Sequence, residues 1–436
     1  MGKRFKKAIS IFLCVIFAFS VCQAAVAAPE EISAAESKAF TEDDFLVTNG
    51  RDIVNRKGEK VRLRGVNLGA WLIWEDWLCP YTIDGKGGET LAHADVLDRL
   101  EERFGIEKAY ELYNTYMDNF ITEVDFDNIA DMGFNCVRLP FWYRNFYYDE
   151  EGTQKILNDN GEWDFSRLDW AVEQCAERGI YVILDMHGAV GYQGDAEHCG
   201  KLDSCRLYEK SQAGENYRER TAELWAAIAE RFKGNPAVAM YDLLNEPSCD
   251  NEGFEITRRI NNTSVYKILY NAVRNVDPDH IITLECIWTA AALPHPWIMG
   301  WNNVVYQIHF YQNSDFIFNF FVFLTRIYYS KIPLLMGEYY PLGSTTWSNT
   351  FKTMERCNIN WCLWTYKAMN DWMSNSEWAI YANNNWEHNI ERADVDNDSF
   401  DEIARKWGER LRSDSGVFSQ TGHYENNVKQ WLVTAN

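Results

Sequence analysis

FSRLDWAVEQCAERGIYVILDMHGA, residues 165–189, contains one complete structural unit of this chain. From Phe165 to Glu177 apolar residues recur at three- and four-residue spacing with charges between them, the pattern of a helix with one buried face. After Arg178-Gly179 the pattern changes to a short apolar run, Ile180 to Leu184, that reads as a buried strand and stops abruptly at Asp185-Met186-His187.

The same unit recurs along the chain. Short runs rich in Val, Ile and Leu occupy 61–67, 134–140, 179–187, 237–245, 280–287, 303–310, 332–338 and 359–366, and helical patterns lie between them, among them Phe120 to Met132, Arg218 to Phe232, Glu255 to Asn275 and Phe400 to Leu411. Strand and helix alternating eight times predict an α/β fold, the (β/α)8 TIM barrel. Turn signals at Asn49-Gly50 and Lys57-Gly58 within Phe45 to Val61 predict an N-terminal β-hairpin that caps the base of the barrel. The longest connections, 68–118 and 188–216, follow strands one and three, on the side where such barrels build their active face. Neither a Ser/Pro/Gly-rich linker nor an internal repeat divides the chain, so 45–436 reads as one domain after a leader, 28–44. Asp394, Asp396 and Asp398 resemble the start of a calcium loop, but Ser399 and Arg405 stand where Gly and Glu are needed, and a solvated acidic loop capping the last helix is expected instead. The aromatic run Phe316 to Leu324 is expected to be buried against the barrel; a lid or a lipid-contacting helix is the other reading.

Lys3, Arg4, Lys6 and Lys7, an apolar stretch from Ala8 to Val21 and the small residues Ala25-Val26-Ala27 read as a cleaved secretory signal, 1–27. The remaining chain has no other apolar stretch of about 20 residues, so it is expected to be extracytoplasmic without stable membrane insertion, and monomeric. A net charge of −22 excludes an ordinary nucleic-acid binder, which needs a basic face. The 18 Trp, 23 Tyr and 24 Phe exceed what a core needs and offer flat apolar faces suited to neutral sugars. Of 11 cysteines, Cys14 and Cys22 fall in the signal, and the odd remainder leaves at least one thiol unpaired. Cys199 and Cys205, flanking a short polar loop, are the expected disulfide. Cys136, Cys175, Cys286, Cys357 and Cys362 lie in apolar segments and are expected to be buried. The absence of a CxxC pair, and of a fourth ligand beside His198, Cys199 and Cys205, argues against zinc.

Chemistry gathers where the strand runs stop. Strand two ends in Arg138-Leu139-Pro140, strand three in Asp185-Met186-His187-Gly188, strand four in Asn245-Glu246-Pro247, strand six in His309-Phe310-Tyr311, strand seven in Gly337-Glu338-Tyr339 and strand eight in Trp364-Thr365-Tyr366-Lys367. Any one is ordinary; six polar ends converging on one rim are not a packing pattern. Glu246 and Glu338 end strands on opposite sides of the barrel and can face each other across its mouth, the arrangement used for glycoside hydrolysis.

In this order VRLP (137–140), DMHGA (185–189), LLNEP (243–247), HFYQ (309–312), GEY (337–339) and WCLWTYK (361–367) make the chain resemble glycoside hydrolase family 5, (β/α)8 barrels of retaining β-glycosidases. RGVNLGAWLIWEDW (64–77) and FITEVDFDNIADMGFNCVRLPF (120–141) look most like its exo-β-1,3-glucanase branch. The resemblance implies Glu338 as nucleophile and Glu246 as general acid/base, with no metal and no organic cofactor. It implies substrate-binding roles for Glu75, Arg138, His187, Asn245, His309, Tyr311 and Trp364: Arg138 and Tyr311 on Glu338, Asn245 on the sugar 2-hydroxyl, Trp364 as the floor of the reacting sugar, and Glu75 on the non-reducing sugar. Glu246 is expected to begin protonated beside an ionised Glu338. Residues 191–195, Gly-Tyr-Gln-Gly-Asp, depart from the branch, which carries an Asn-Gly step there. Linkage, exo or endo action, and a β-glucan or a glycolipid substrate stay open at this stage, as does a barrel that only binds glucan.

Overall fold

The computed structural model describes residues 39–83, 91–248, 255–285, 293–342, 344–369, 379–382 and 391–433. The expected signal, most of the leader, and Cys286 lie outside the described residues.

The eight strands are β1 (Arg64–Asn67), β2 (Cys136–Trp142), β3 (Tyr181–Gly188), β4 (Val238–Asp242), β5 (Ile281–Glu285), β6 (Val304–His309), β7 (Leu334–Glu338) and β8 (Ile359–Leu363). They hydrogen-bond in sequence order, every pair parallel, and β8 closes onto β1 through Trp361 opposite Arg64. Every strand residue is buried. That explains continuous apolar runs in place of alternation: one face fills the barrel and the other meets the helices.

The hairpin expected at the N-terminus pairs Val47–Asn49 with Asp52–Val54. Leu46 and Ile53, with Leu63, pack on Cys136, Tyr181, Ile183, Met240, Ile281, Val305, Leu335 and Cys362, side chains carried by β2 to β8. The hairpin therefore plugs the base of the barrel, and the polar strand ends stay at the opposite face.

Side-chain caps set several helix starts. Helix Gln212–Phe232 begins six residues before its apolar pattern because the Ser211 hydroxyl accepts from the Gly214 N–H, 3.2 Å away. Helix Phe400–Lys406 starts at a Ser399/Glu402 capping box behind the acidic loop, where the Asp394 carboxylate accepts from the N–H groups of Asp396 and Asn397. A short helix, Lys429–Val433, follows it, so the capped helix is not the last.

Within the long connection after β1, helices His93–Phe104 and Ile106–Phe120 are formed. Tyr113 and Tyr116 donate to the carbonyls of Leu72 and Ala70, and Trp71 donates to that of Met117, tying the helices to the segment that carries Glu75.

Helix Asp315–Tyr328 corrects an expectation. It buries Phe318, Val322, Thr325 and Arg326, but Phe316, Phe320, Leu324 and Ile327 are exposed, Phe316 at 74%. Spacing of three and four residues places these on one outward stripe that the barrel does not cover. No helix among the described residues is long and apolar enough to cross a membrane.

Candidate active site

The polar strand ends meet around one buried guanidinium. Arg138, on β2, donates to Glu338 Oε1 (2.8 Å), Asn245 Oδ1 (2.8 Å), Asn67 Oδ1 (3.1 Å) and Asp242 Oδ2 (2.9 Å), and Asp185 Oδ2 lies 3.0 Å from it. It is fully enclosed, and each of its contacts here is with a carboxylate or amide of the rim. Five partners, carried in or just after β1, β3, β4 and β7, fix the plane of the fork.

Glu338 ends β7 with Oε1 on Arg138 and Oε2 accepting from the Tyr311 hydroxyl at 2.9 Å. Burial opposes its ionisation, but the charges of His309 and Arg138 outweigh it and hold the carboxyl below its ordinary range. The preceding Gly337 is required by space, since a Cβ there would fall on the Gln307 amide.

Glu246 follows β4 at φ +37°, a left-handed conformation that costs a non-glycine residue about 1–3 kcal/mol. Its N–H is gripped by Glu285 Oε2 at 2.5 Å, and its Oε1 accepts from His309 Nδ1 at 2.8 Å. The same Nδ1 is 3.3 Å from Glu285 Oε1 and 3.6 Å from Glu338 Oε2. Burial disfavours a charge on His309, yet Glu285, Glu338 and Glu246 together raise it to about 9. Burial likewise favours a neutral Glu246, but the hydrogen bond from His309 and the nearby histidines pull its carboxyl below the ordinary range. The two groups are thus joined by one hydrogen bond across which a proton is shared.

His187 donates from Nδ1 to Asp185 (2.7 Å), and its Nε2 accepts from Asn245 Nδ2 (3.2 Å); burial keeps the ring neutral. Asn245 is fixed at both ends of its amide, its oxygen by Arg138 and its nitrogen by His187. Trp364 stacks on His187, ring centroids 5.4 Å apart at 12°. Glu75 is buried beside Trp77, whose indole donates to it at 2.8 Å, and burial followed by the charges of Glu338 and Glu197 raises its carboxyl well above the ordinary range. All nine residues named from the sequence are therefore placed on this one face.

Several further residues take part in the arrangement. Gln193 lies in the loop that departs from the branch pattern; its amide nitrogen donates to the carbonyls of His187 and Asn245, and its oxygen accepts from Ala189 N–H, tying β3 to β4. Asp242 and Asp185 sit inside strands, and burial raises both to about 7 even against Arg138. Glu285 ends β5 as Glu246 follows β4, and that abrupt end of an apolar run is the signal that could have found it.

The expected Cys199–Cys205 disulfide is not formed: Cys199 is a free, buried thiol turned under Gly194, whereas Cys205 Sγ lies 3.3 Å from the Ser248 carbonyl. Cys136, Cys175, Cys357 and Cys362 are buried as expected. Among the described residues, Glu246, His309 and Glu338 have donor atoms within 4.8 Å of one another. The imidazole hydrogen-bonds Glu246 and lies 3.6 Å from Glu338.

Comparison with known proteins agrees with this geometry. A β-xylosidase of Phanerodontia chrysosporium is 31% identical over 62% of this chain and 53% of its own length. A glucan 1,3-beta-glucosidase of Blumeria graminis is 30% identical over 58% of this chain and 55% of its own. The chain thus spans a little over half the length of these relatives. Among solved structures, an endogalactoceramidase superposes with TM-score 0.53 at 18% identity, over 83% of this chain and 84% of that one. A rutinosidase from Aspergillus niger gives TM-score 0.50 at 15% identity, over 70% and 90%. Both likenesses bear on the fold alone. The sequence profile described as Cellulase (glycosyl hydrolase family 5) matches residues 101–370, from the helices after β1 to just beyond β8, and by that match across the strands that carry Arg138, Glu246 and Glu338 the chain belongs to glycoside hydrolase family 5.

Proposed function

We propose that the protein is a retaining β-glycosidase that hydrolyses β-glucosidic bonds of glucans, β-1,3-glucan first among them, by double displacement. One observation carries the reading: carboxylate oxygens of Glu246 and Glu338 lie within 4.8 Å of each other. Retaining enzymes hold the two carboxyl groups about 5–5.5 Å apart, whereas inverting ones need about 6.5–9.5 Å to admit a water between them.

Glu338, kept ionised by Arg138 and oriented by Tyr311, attacks the anomeric carbon. The proton held by the His309–Glu246 pair passes along its 2.8 Å hydrogen bond to Glu246 and on to the departing oxygen. Forming the glycosyl ester removes the negative charge of Glu338, and Glu246 then takes a proton from the water that cleaves the ester. Asn245 presents its amide to the 2-hydroxyl, Trp364 forms a flat floor, and Glu75 meets hydroxyls of the non-reducing sugar. Neither a metal nor an organic cofactor takes part. The glucan 1,3-beta-glucosidase relative supports the glucosidic preference; the β-xylosidase relative makes an aryl β-xyloside the control substrate. We further propose cleavage of 1–27, an extracytoplasmic location without stable membrane insertion, a single catalytic domain over 45–436, and a monomer.

The exposed stripe Phe316, Phe320, Leu324 and Ile327 favours a second reading, an amphiphilic glycolipid as substrate. ¹H NMR of the first-formed product, on an aryl β-glucoside, laminari-oligosaccharides, cellulose oligomers and glucosylceramide in parallel, tests both. Initial release of the β-anomer from laminari-oligosaccharides is expected; the α-anomer overturns retention, and turnover of glucosylceramide alone selects the second reading.

A further inference from the structure

Glu246 has two carboxylate oxygens, and only Oε1 is engaged by His309. The other, Oε2, faces His198, whose Nε2 is 3.4 Å away. His198 belongs to the 3-10 turn Glu197–Cys199 in the connection after β3, the stretch in which the chain departs from the exo-glucanase pattern. The turn is firmly seated. Cys199 is fully buried beneath Gly194, the Gly200 carbonyl accepts from the Ala94 N–H at 2.9 Å, and Gly200 lies so close against Trp142 that a Cβ would meet the indole at 2.6 Å. Gln193 anchors the start of the same connection to the carbonyls of His187 and Asn245. The His198 ring stands edge-on to His187, centroids 6.3 Å apart at 77°.

The position is unusual for a surface histidine. Its side chain is 22% exposed, yet the Nε2 atom is buried and has no hydrogen-bond partner among the described residues. A buried polar nitrogen without a partner is costly unless it acquires one. Hydrogen bonds at catalytic groups are often long before substrate binds and shorten in the complex. The group within reach of Nε2 is the oxygen of Glu246 that His309 leaves unengaged.

We propose that His198 is a positioning residue on the leaving-group side of the site: its Nε2–H holds Oε2 of Glu246 in the direction of the departing oxygen and contacts the leaving sugar there. The proposal rests on Glu246 being the general acid/base. It places the recognition of the leaving group in the connection that departs from the exo-glucanase pattern, while the reacting sugar is held by the strand ends.

The test compares wild type with His198→Leu, which keeps bulk without a donor, and His198→Gln, whose amide nitrogen reaches the place of Nε2. Aryl β-glucosides spanning leaving groups from 2,4-dinitrophenol to unactivated phenols are the probes. His198→Leu is expected to lower kcat/KM about 10- to 100-fold on the poorest leaving groups, where acid assistance is needed, and less than about threefold on the dinitrophenyl glucoside. His198→Gln should recover most of that loss. Loss of the same size across the series, as a merely structural role would give, or no loss, overturns the proposal. NMR of protein with ¹⁵N-labelled histidine gives an answer independent of turnover. Glu246→Gln should move the ring signals of His198, identified by their absence from His198→Gln, as well as those of His309; unmoved His198 signals overturn the contact. A wild type that cleaves none of the glucosides would defeat the proposed function, while the NMR comparison would still decide whether His198 holds Glu246.

Discussion

Nδ1 of His309 lies 2.8 Å from Oε1 of Glu246, so the residue assigned as acid/base shares its proton with an imidazole. That imidazole touches Glu285 and Glu338 as well, which makes it the electrostatic centre of three carboxylates from three strands. Asp185, Asp242 and the cation of Arg138 stand behind this cluster, and Tyr311 faces it across Glu338.

The first consequence is a pH profile. A histidine raised to about 9 keeps its proton below that pH and loses it above, so the proton available to the pair disappears on the alkaline side. Glu338, held below its ordinary range, remains a carboxylate well into the acid side. For an aryl glucoside with a poor leaving group, kcat/KM should stay level through neutrality and fall as pH rises through about 9. In His309→Gln the alkaline fall should move at least one pH unit lower; the same limb in both proteins would contradict a proton shared with His309.

Replacing Glu338 by Ala should abolish nearly all turnover, on the order of 10⁴-fold or more, because the covalent route is lost. Arg138 keeps Asp185 and Asp242 as partners, so the circular dichroism spectrum should stay that of the folded barrel. Activity near wild type would remove Glu338 from the nucleophile's role.

Glu246→Ala should behave differently on different leaving groups. With 2,4-dinitrophenyl β-glucoside the first step needs little acid, so a rapid burst of phenol is expected, followed by slow hydrolysis of the ester for want of a base. Equal and total loss on every substrate would contradict the acid/base assignment.

Arg138→Met tests the buried fork. Removing the cation leaves Asp185, Asp242 and Glu338 without their common partner, and truncating one side of a buried ion pair typically costs about 3–5 kcal/mol. Asp185 and Asp242 already sit near 7, above their value in an unfolded chain, so native protons relieve the defect as pH falls. The loss in denaturation midpoint should be larger at pH 8 than at pH 5. A pH-independent loss would mean that packing, and not charge, is what Arg138 supplies.

The barrel was legible because a strand buried on both faces must be apolar throughout, and each run from 61–67 to 359–366 overlaps a barrel strand. Edges were less legible where side chains set them, as at Ser211, whose hydroxyl starts a helix before its apolar pattern begins. The stripe from Phe316 to Ile327 misled for the opposite reason: apolar composition does not say which face of a helix has a neighbour. Cys199 and Cys205 misled because closeness in sequence does not orient two thiols toward each other.

By itself the sequence determined which residues stand at the strand ends, since a change from apolar to polar character along a strand is a local property. Glu246, Glu338, His187, Asn245, His309, Tyr311 and Trp364 follow from it, with the resemblance dividing the roles; Arg138 lies inside β2, which runs on to Trp142 past the expected end at Pro140. Only the tertiary structure decided which of these touch. Residues separated by 200 positions, such as Arg138 and Glu338, meet through closure of the barrel, and the charge state of each depends on every neighbour that closure brings to it. Gln193 and His198 enter the site in the same way, by where the folded chain places them and not by any pattern around them, whereas Glu285 stands at an apolar run's end that the sequence does show.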